Sequence, residues 1–207
     1  MPDLSIEMFY RGLVCGIDEA GRGPLAGPVV AAAVILERRR LPRRLRDELD
    51  DSKRLTAEER EEFAAMLPRC ARIGVGAASV DEIDRRNILQ ATFLAMARAV
   101  TALGVRPEIA LVDGDRAPAL PCSVRTVIGG DGISLSIAAA SVIAKVTRDR
   151  VMRRLAERYE GYGWRTNVGY GTAEHQEALR ALGPTPHHRR SFAPVQLSLG
   201  FESREPA

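Results

Sequence analysis

The sequence predicts an α/β layer fold whose mixed sheet of about five strands is flanked by helices. Two observations predict it: three strand-like runs come first in the chain, and strand–helix alternation follows them. A third is a 27-residue stretch, 134–160, that lacks proline and glycine and is rich in alanine over its first half, as expected of a long helix packed on a sheet. With 207 residues, 45% hydrophobic and 28% charged, the chain suits one ordinary domain with a small appendage and excludes a fibre or a disordered tail.

The elements follow in order. Residues 13–17 (LVCGI) form an apolar run that ends in Asp18-Glu19. The glycine loop AGRGPLAGP and the run 29–36 (VVAAAVIL) come next, which reads as strand, loop, strand. Residues 37–46 carry six arginines against one glutamate, and 47–51 add four acids, so this segment is expected to be a solvated connection. Residues 56–67 open on Thr56 with Glu59 three positions on, the pattern of a capping box, and a helix follows until Pro68. A third strand is expected over 71–80. Residues 87–103 form an amphipathic helix with Ile88, Phe93, Leu94, Ala97 and Val100 inward, capped by Gly104. Strands are expected over 108–112 and 123–128, the long helix from Ser134, and a capped helix over 172–182 ended by Gly183-Pro184. Residues 184–207 read as irregular.

Composition narrows the function classes. The formal charge of +3 permits a polyanionic partner without demanding one. The longest apolar run, 28–36, is too short to span a bilayer, and the N-terminus lacks the basic-then-apolar layout of a signal peptide, so a cytoplasmic protein is expected. The three cysteines, Cys15, Cys70 and Cys122, have no C-x-x-C pairing and are expected to be buried thiols. Of 30 basic residues only two are lysines, Lys53 and Lys145, which singles out two compact ammonium charges in an arginine-rich chain.

Four carboxylates sit where regular structure stops: Asp18 and Glu19 after the first strand, Asp113 after the fourth, and Asp131 before the long helix. Ends of central strands are where α/β folds gather ligand-binding groups. If the first and fourth strands are neighbours, Asp18 and Asp113 approach across roughly 5 Å, with Glu19 and Asp131 closing the cluster. Carboxylates that close need a cation, and an all-oxygen set favours magnesium or manganese, in a pair of the kind that cuts phosphodiesters. Asp113-Gly114 and Asp131-Gly132 also fit ordinary turns. Two consecutive acids closing an apolar strand must be solvated, paired or metal-bound.

The run from Gly21 to Ala26 satisfies G-x-G-x-x-A, the dinucleotide fingerprint, so a nicotinamide oxidoreductase is one rival. That fingerprint must open a helix, whereas this loop leads into a strand and offers no helix N-terminus to a pyrophosphate. The loop suits close backbone approach to a sugar or phosphate, with Arg22 adding charge. A second rival is a non-catalytic binding module on the same fold, which would need at least one of the four carboxylates to be absent, and none is.

The stretch DEAGRGPLAGPV, residues 18–29, resembles the signature of the type 2 ribonuclease H family, bacterial ribonuclease HII. The likeness continues in order through Asp51-Ser52-Lys53, Leu111-Val112-Asp113-Gly114, Gly130-Asp131, IAAASVIAKVTRD at 137–149, Gly169-Tyr170-Gly171-Thr172 and His188-Arg189-Arg190-Ser191-Phe192. The blocks reach from residue 14 to 192. The resemblance implies a ribonuclease H-like domain over 10–160 and a C-terminal helical segment and tail over 161–207 that contributes substrate contacts. It implies a metal-dependent endoribonuclease that cuts the RNA strand of RNA–DNA hybrids and single ribonucleotides embedded in duplex DNA. The resemblance further implies cleavage 5′ of the ribonucleotide, leaving 3′-hydroxyl and 5′-phosphate ends, and a role in ribonucleotide removal in replication and repair.

By the same resemblance Asp18, Glu19, Asp113 and Asp131 are the catalytic carboxylates that hold Mn2+ or Mg2+, all four being present. Gly21, Arg22 and Gly23 match the loop that reads the 2′-hydroxyl, and Tyr170 matches the aromatic that stacks on the following deoxyribose. Lys53 and Lys145 match phosphate-contacting positions. Arg189 and Arg190 are further candidates for backbone phosphate, whereas His175, His187, His188 and Trp164 read as turn or core residues. The related ribonuclease HIII normally carries an extra N-terminal domain, for which the dozen or so residues before Leu13 leave no room. A monomer is expected. Finally, Gln196-Leu197-Ser198-Leu199-Gly200-Phe201 resembles the six-residue peptides that dock on bacterial sliding clamps, so a clamp is a candidate partner.

Overall fold

Strands β1 (Val14–Ala20) and β2 (Val29–Leu36) form an antiparallel pair, and β3 (Ala71–Ala78) adds antiparallel to β2. On the other side β4 (Ile109–Asp113) lies parallel to β1, and β5 (Ser123–Val127) parallel to β4. The computed structural model, which describes residues 1–200, therefore has a mixed sheet in the order β3-β2-β1-β4-β5. Helices α1 (Arg43–Glu48), α2 (Ala57–Met66), α3 (Val80–Arg86), α4 (Ile88–Ala102) and α5 (Leu135–Arg158) cover its faces. Helices α6 (Trp164–Asn167), α7 (Ala173–Leu182) and α8 (Ala193–Ser198) follow in the C-terminal segment. Among the described residues, no helix is long and apolar enough to cross a membrane.

Strand periodicity assigns the two cores. Cys15, Ile17, Ala110 and Val112 face α4, whereas Val14, Ile109 and Leu111 pack with Ile137 of α5 on the opposite face. β2 is buried on both faces, with Ala31 and Ala33 toward α4 and Ala32 and Val34 toward α5. Close helix–sheet approach is what the small residues allow. A Cβ on Gly16 would lie 2.1 Å from the carbonyl carbon of Ser136, and one on Gly76 2.2 Å from the carbonyl oxygen of Ala95.

The structure differs from the sequence reading at four places. The arginine-rich connection contains α1, because Leu41, Leu45 and Leu49 recur every four residues and are buried against Phe63 and Leu67 of the α5-side core. The buried face of α4 is alanine-rich, with Ala91, Ala95 and Ala99 inward, since β3 glycines draw that backbone close; Phe93 and Leu94 are only partly buried. A helix missed after β3, α3, starts at a complete Ser79–Glu82 capping box. The C-terminal stretch read as irregular contains α8. The expected Thr56–Glu59 capping box is present on α2. Cys15 and Cys70 are buried, Cys122 is half-buried, and all three are free.

The N-terminal segment braces the start of α5. Asp3 and Ser134 form a parallel bridge, and the buried carboxylate of Glu7 accepts hydrogen bonds at Oε1 from Ser134 Oγ, Ser136 N and Ser136 Oγ. A carboxylate suits the positive end of the helix.

Candidate active site

β1 and β4 end side by side, with Ile17 opposite Val112, so the next residues, Asp18 and Asp113, emerge together on the α5 face. Asp131 joins them from the short helical turn Gly130–Gly132 that leads into α5. The turn is tied to β4 by the Gly130 N–H, which donates to Asp113 Oδ1 at 2.7 Å. Asp18, Asp113 and Asp131 each present an oxygen within 4.8 Å of the others.

Glu19 stands apart from that trio. Being next to Asp18 on a strand it points to the opposite face, where its Oε1 accepts from Arg22 Nη1 at 3.3 Å. It lines a cleft of about 310 Å³ with Asp113, Asp115 and Arg116, and it also borders the main cleft.

Electrostatics set Asp18, Glu19 and Asp131 apart from ordinary turn acids. Burial raises the Asp18 carboxyl well above its usual range, and the neighbouring Glu19 and Asp113 raise it further. Burial also raises Glu19, against the pull of Arg22. Asp131 is raised by burial, then by Asp113 and Asp51, while Lys53 opposes the shift. Crowded carboxylates with no nitrogen or sulfur donor among them suit a hard divalent cation, whose charge would relieve the burial and repulsion together. The donor set therefore fits magnesium or manganese.

The main cleft, about 360 Å³, brings the other sequence-derived candidates to these acids. Lys53 Nζ lies 3.3 Å from Asp131 Oδ2 and 3.5 Å from Asp51 Oδ1. Lys145 lines the same cleft from α5, its Nζ 2.8 Å from Asp149. Gly21, Arg22 and Gly23 form one wall. Tyr170, 47% exposed, lies beside them, 3.6 Å from where a Cβ on Gly23 would stand. Gly21 has φ +97°, and a Cβ there would also strike the Arg148 side chain, so glycine is required twice over.

Sequence reasoning missed what holds this loop. Arg189, expected on phosphate, is fully buried and cannot reach it; its guanidinium donates to the carbonyls of Gly21, Arg22 and Gly27. Arg148 is buried too and donates to the carbonyls of Ala26, Pro28 and Val168. Both arginines lie inside family-like blocks, but nothing local marks them as buried. With carbonyls drawn inward, the N–H groups of Arg22 and Gly23 meet no acceptor among the described residues. Arg190 is exposed, its N–H bonded to Asp84. His175, His188 and Trp164 are buried, as the core reading expects, and His187 is half-buried.

Fold and site together define a ribonuclease H-type hydrolase: a mixed five-stranded sheet between helices, with acids gathered at the ends of its adjacent parallel strands. The ribonuclease HII family model matches residues 15–195. Ribonuclease HII of Paramagnetospirillum magneticum is 66% identical over 195 residues, covering 94% of this chain and 97% of that one. Among solved structures, the ribonuclease H2 from Pyrococcus horikoshii OT3 superposes with a TM-score of 0.76 at 29% identity, over 90% of this chain and 96% of that one. The RNase HII of Archaeoglobus fulgidus, solved as a complex with PCNA, gives 0.70 at 30% identity, over 85% and 91%. The chain belongs to the ribonuclease HII family and is a divalent-metal-dependent endonuclease acting on RNA–DNA.

Proposed function

We propose that this protein recognises a ribonucleotide joined to DNA and cuts on its 5′ side, leaving 3′-hydroxyl and 5′-phosphate ends. It does so within hybrids and at single ribonucleotides in duplex DNA, as ribonucleotide removal in replication and repair requires. The observation that carries this reading is the shared cleft: Asp18, Glu19, Asp113, the glycine loop and Tyr170 border one cavity, and Asp131 presents an oxygen within 4.8 Å of those of Asp18 and Asp113. Asp18, Asp113 and Asp131, with Glu19 beside them, hold magnesium or manganese. A pair of such ions supplies positive charge that activates water and offsets charge on the leaving oxygen. The free N–H groups of the loop address the 2′-hydroxyl, the one group that separates ribose from deoxyribose. Tyr170 stacks on the next sugar and disfavours a second 2′-hydroxyl there. Lys53 and Lys145 bind flanking phosphates, and the segment 161–207 supplies Tyr170 and the strap behind the loop.

The direct test is cleavage of a duplex carrying one ribonucleotide, with magnesium, manganese and a chelator compared. Cutting 5′ of the ribonucleotide with either metal and none with chelator supports the reading; no cutting with any ion refutes it. Tyr170→Ala is expected to lower kcat/KM on the single-ribonucleotide duplex by about tenfold, the worth of one stacking contact, and to affect long hybrids less. Equal losses on both substrates would contradict the role given to Tyr170.

A second reading concerns the tail. Gln196, Leu197 and Leu199 are exposed on and just after α8, while Phe201, the last anchor of the clamp-like peptide, lies outside the described residues. The PCNA complex of the Archaeoglobus relative supports a clamp partner here. Deleting residues 196–207 is expected to abolish binding to a bacterial sliding clamp while leaving cleavage in place, and unchanged clamp affinity would remove the idea.

A further inference from the structure

Behind the cleft wall, two buried histidines join the turn that carries Tyr170 to the segment that carries Arg189. His175 sits 2.8 Å through Nδ1 from the carbonyl oxygen of Tyr170, and its Nε2 lies 3.0 Å from His188 Nε2. Trp164 Nε1 donates to His175 Nε2 at 3.1 Å, and the Thr185 N–H donates to His188 Nδ1 at 2.9 Å. An indole N–H and a backbone N–H can only donate, so the proton arrangement is fixed. His175 Nε2 must be bare and its proton on Nδ1, donated to Tyr170. His188 Nδ1 must be bare and its proton on Nε2, donated to His175, whose Nε2 lone pair it shares with the Trp164 N–H.

The far end of the network reaches the glycine loop. His188 bridges Ala26, and the next residue, Arg189, is the one that grips the carbonyls of Gly21, Arg22 and Gly27. Leu25 N donates to the Gly169 carbonyl at 2.8 Å, closing the frame on its other side. Loop and tyrosine are thus set relative to each other by one hydrogen-bonded unit rather than by separate contacts.

We infer that His175 and His188 are positioning residues for ribonucleotide selection: as a neutral pair of defined tautomers they fix the spacing between Tyr170 and the glycine loop. This deepens the proposed function and rests on it. A proton added to His175 would place N–H against N–H across the 3.0 Å contact with His188, and one added to His188 would place N–H against the Thr185 N–H at 2.9 Å. Burial is the main force pushing both imidazoles down, His188 to about 3, which keeps the pair neutral at physiological pH. Simple core filling would be satisfied by any apolar side chain of similar volume and needs no particular tautomer.

The test uses the full chain in two measurements. Nitrogen-15 NMR of the histidine rings at neutral pH is expected to show the proton on Nδ1 of His175 and on Nε2 of His188. Any other tautomer, or a charged ring, overturns the network. Kinetics then compare a single-ribonucleotide duplex with a long RNA–DNA hybrid. His175→Leu is expected to lose about tenfold in kcat/KM on the former with little change on the latter. His175→Asn, whose side-chain amide can donate where Nδ1–H does but offers no acceptor to Trp164 and His188, is expected to recover part of the preference that His175→Leu loses. An unaltered preference in His175→Leu, or equal losses on both substrates in both variants, overturns the positioning role. Should the parent protein cut both substrates alike, the ribonucleotide-selection reading falls, and the nitrogen shifts still decide whether the network exists.

Discussion

Asp113→Asn is expected to slow cleavage by about 10³-fold or more while the fold and duplex binding persist, because it removes a charge and almost no volume. Asp113 is the central member of the trio. Its Oδ1 accepts from Gly130 N, and its charge raises both Asp18 and Asp131. Asparagine keeps the Oδ1 acceptor, so the turn carrying Asp131 stays tied to β4. What is lost is one unit of negative charge toward a divalent ion, an effect of several kcal/mol at a nuclease centre. A second consequence has the opposite sign. With chelator present the variant is expected to melt above the parent, since removing one crowded acid relieves the repulsion that burial enforces. Single-turnover cleavage and melting with and without metal check both effects. Full turnover by the variant, or a lower melting point under chelator, would contradict the assignment.

Arg189→Lys is expected to destabilise the protein by about 2–4 kcal/mol and to weaken cleavage at single ribonucleotides more than at long hybrids. The arginine fork spans three carbonyls on two sides of the glycine loop, Gly21 and Arg22 on one and Gly27 on the other. A lysine keeps the charge, so the cost of burying a cation is not relieved. Its single ammonium cannot reach all three acceptors, and a buried carbonyl without a donor costs about 1–3 kcal/mol. Burial already pushes the Arg189 guanidinium down to about 9, with neighbouring Arg148 adding to the shift. Urea unfolding at neutral pH measures the stability change, and an unmoved midpoint would show that the fork holds nothing of consequence.

Much of this architecture was legible because local chemistry announced it. Asp18-Glu19 closing an apolar strand, Asp113 before a glycine and Asp131 before a capped helix mark element ends. The Thr56–Glu59 capping box marks a helix start. The loop after β1 failed as a dinucleotide site on sequence context alone, and β2 does follow it directly. What stayed hidden depends on tertiary partners. Leu41, Leu45 and Leu49, on and beside α1, were masked by the arginines and acids around them, although their spacing of four was there to be read. Ser79 and Glu82 carried a readable cap that the strand assignment swallowed. Glu19 could be placed on the far face of the sheet only once β1 was known to stay regular through residue 20. Buried Arg148 and Arg189 look like surface charge in sequence, because their acceptors are backbone carbonyls supplied from up to 168 residues away.

The most direct test is a crystal of the protein soaked in manganese and read by anomalous scattering. The account predicts an ion among Asp18, Asp113 and Asp131, at roughly 2.0–2.3 Å from an oxygen of each. No anomalous peak there at millimolar manganese, or peaks held only by residues other than Asp18, Glu19, Asp113 and Asp131, would contradict it.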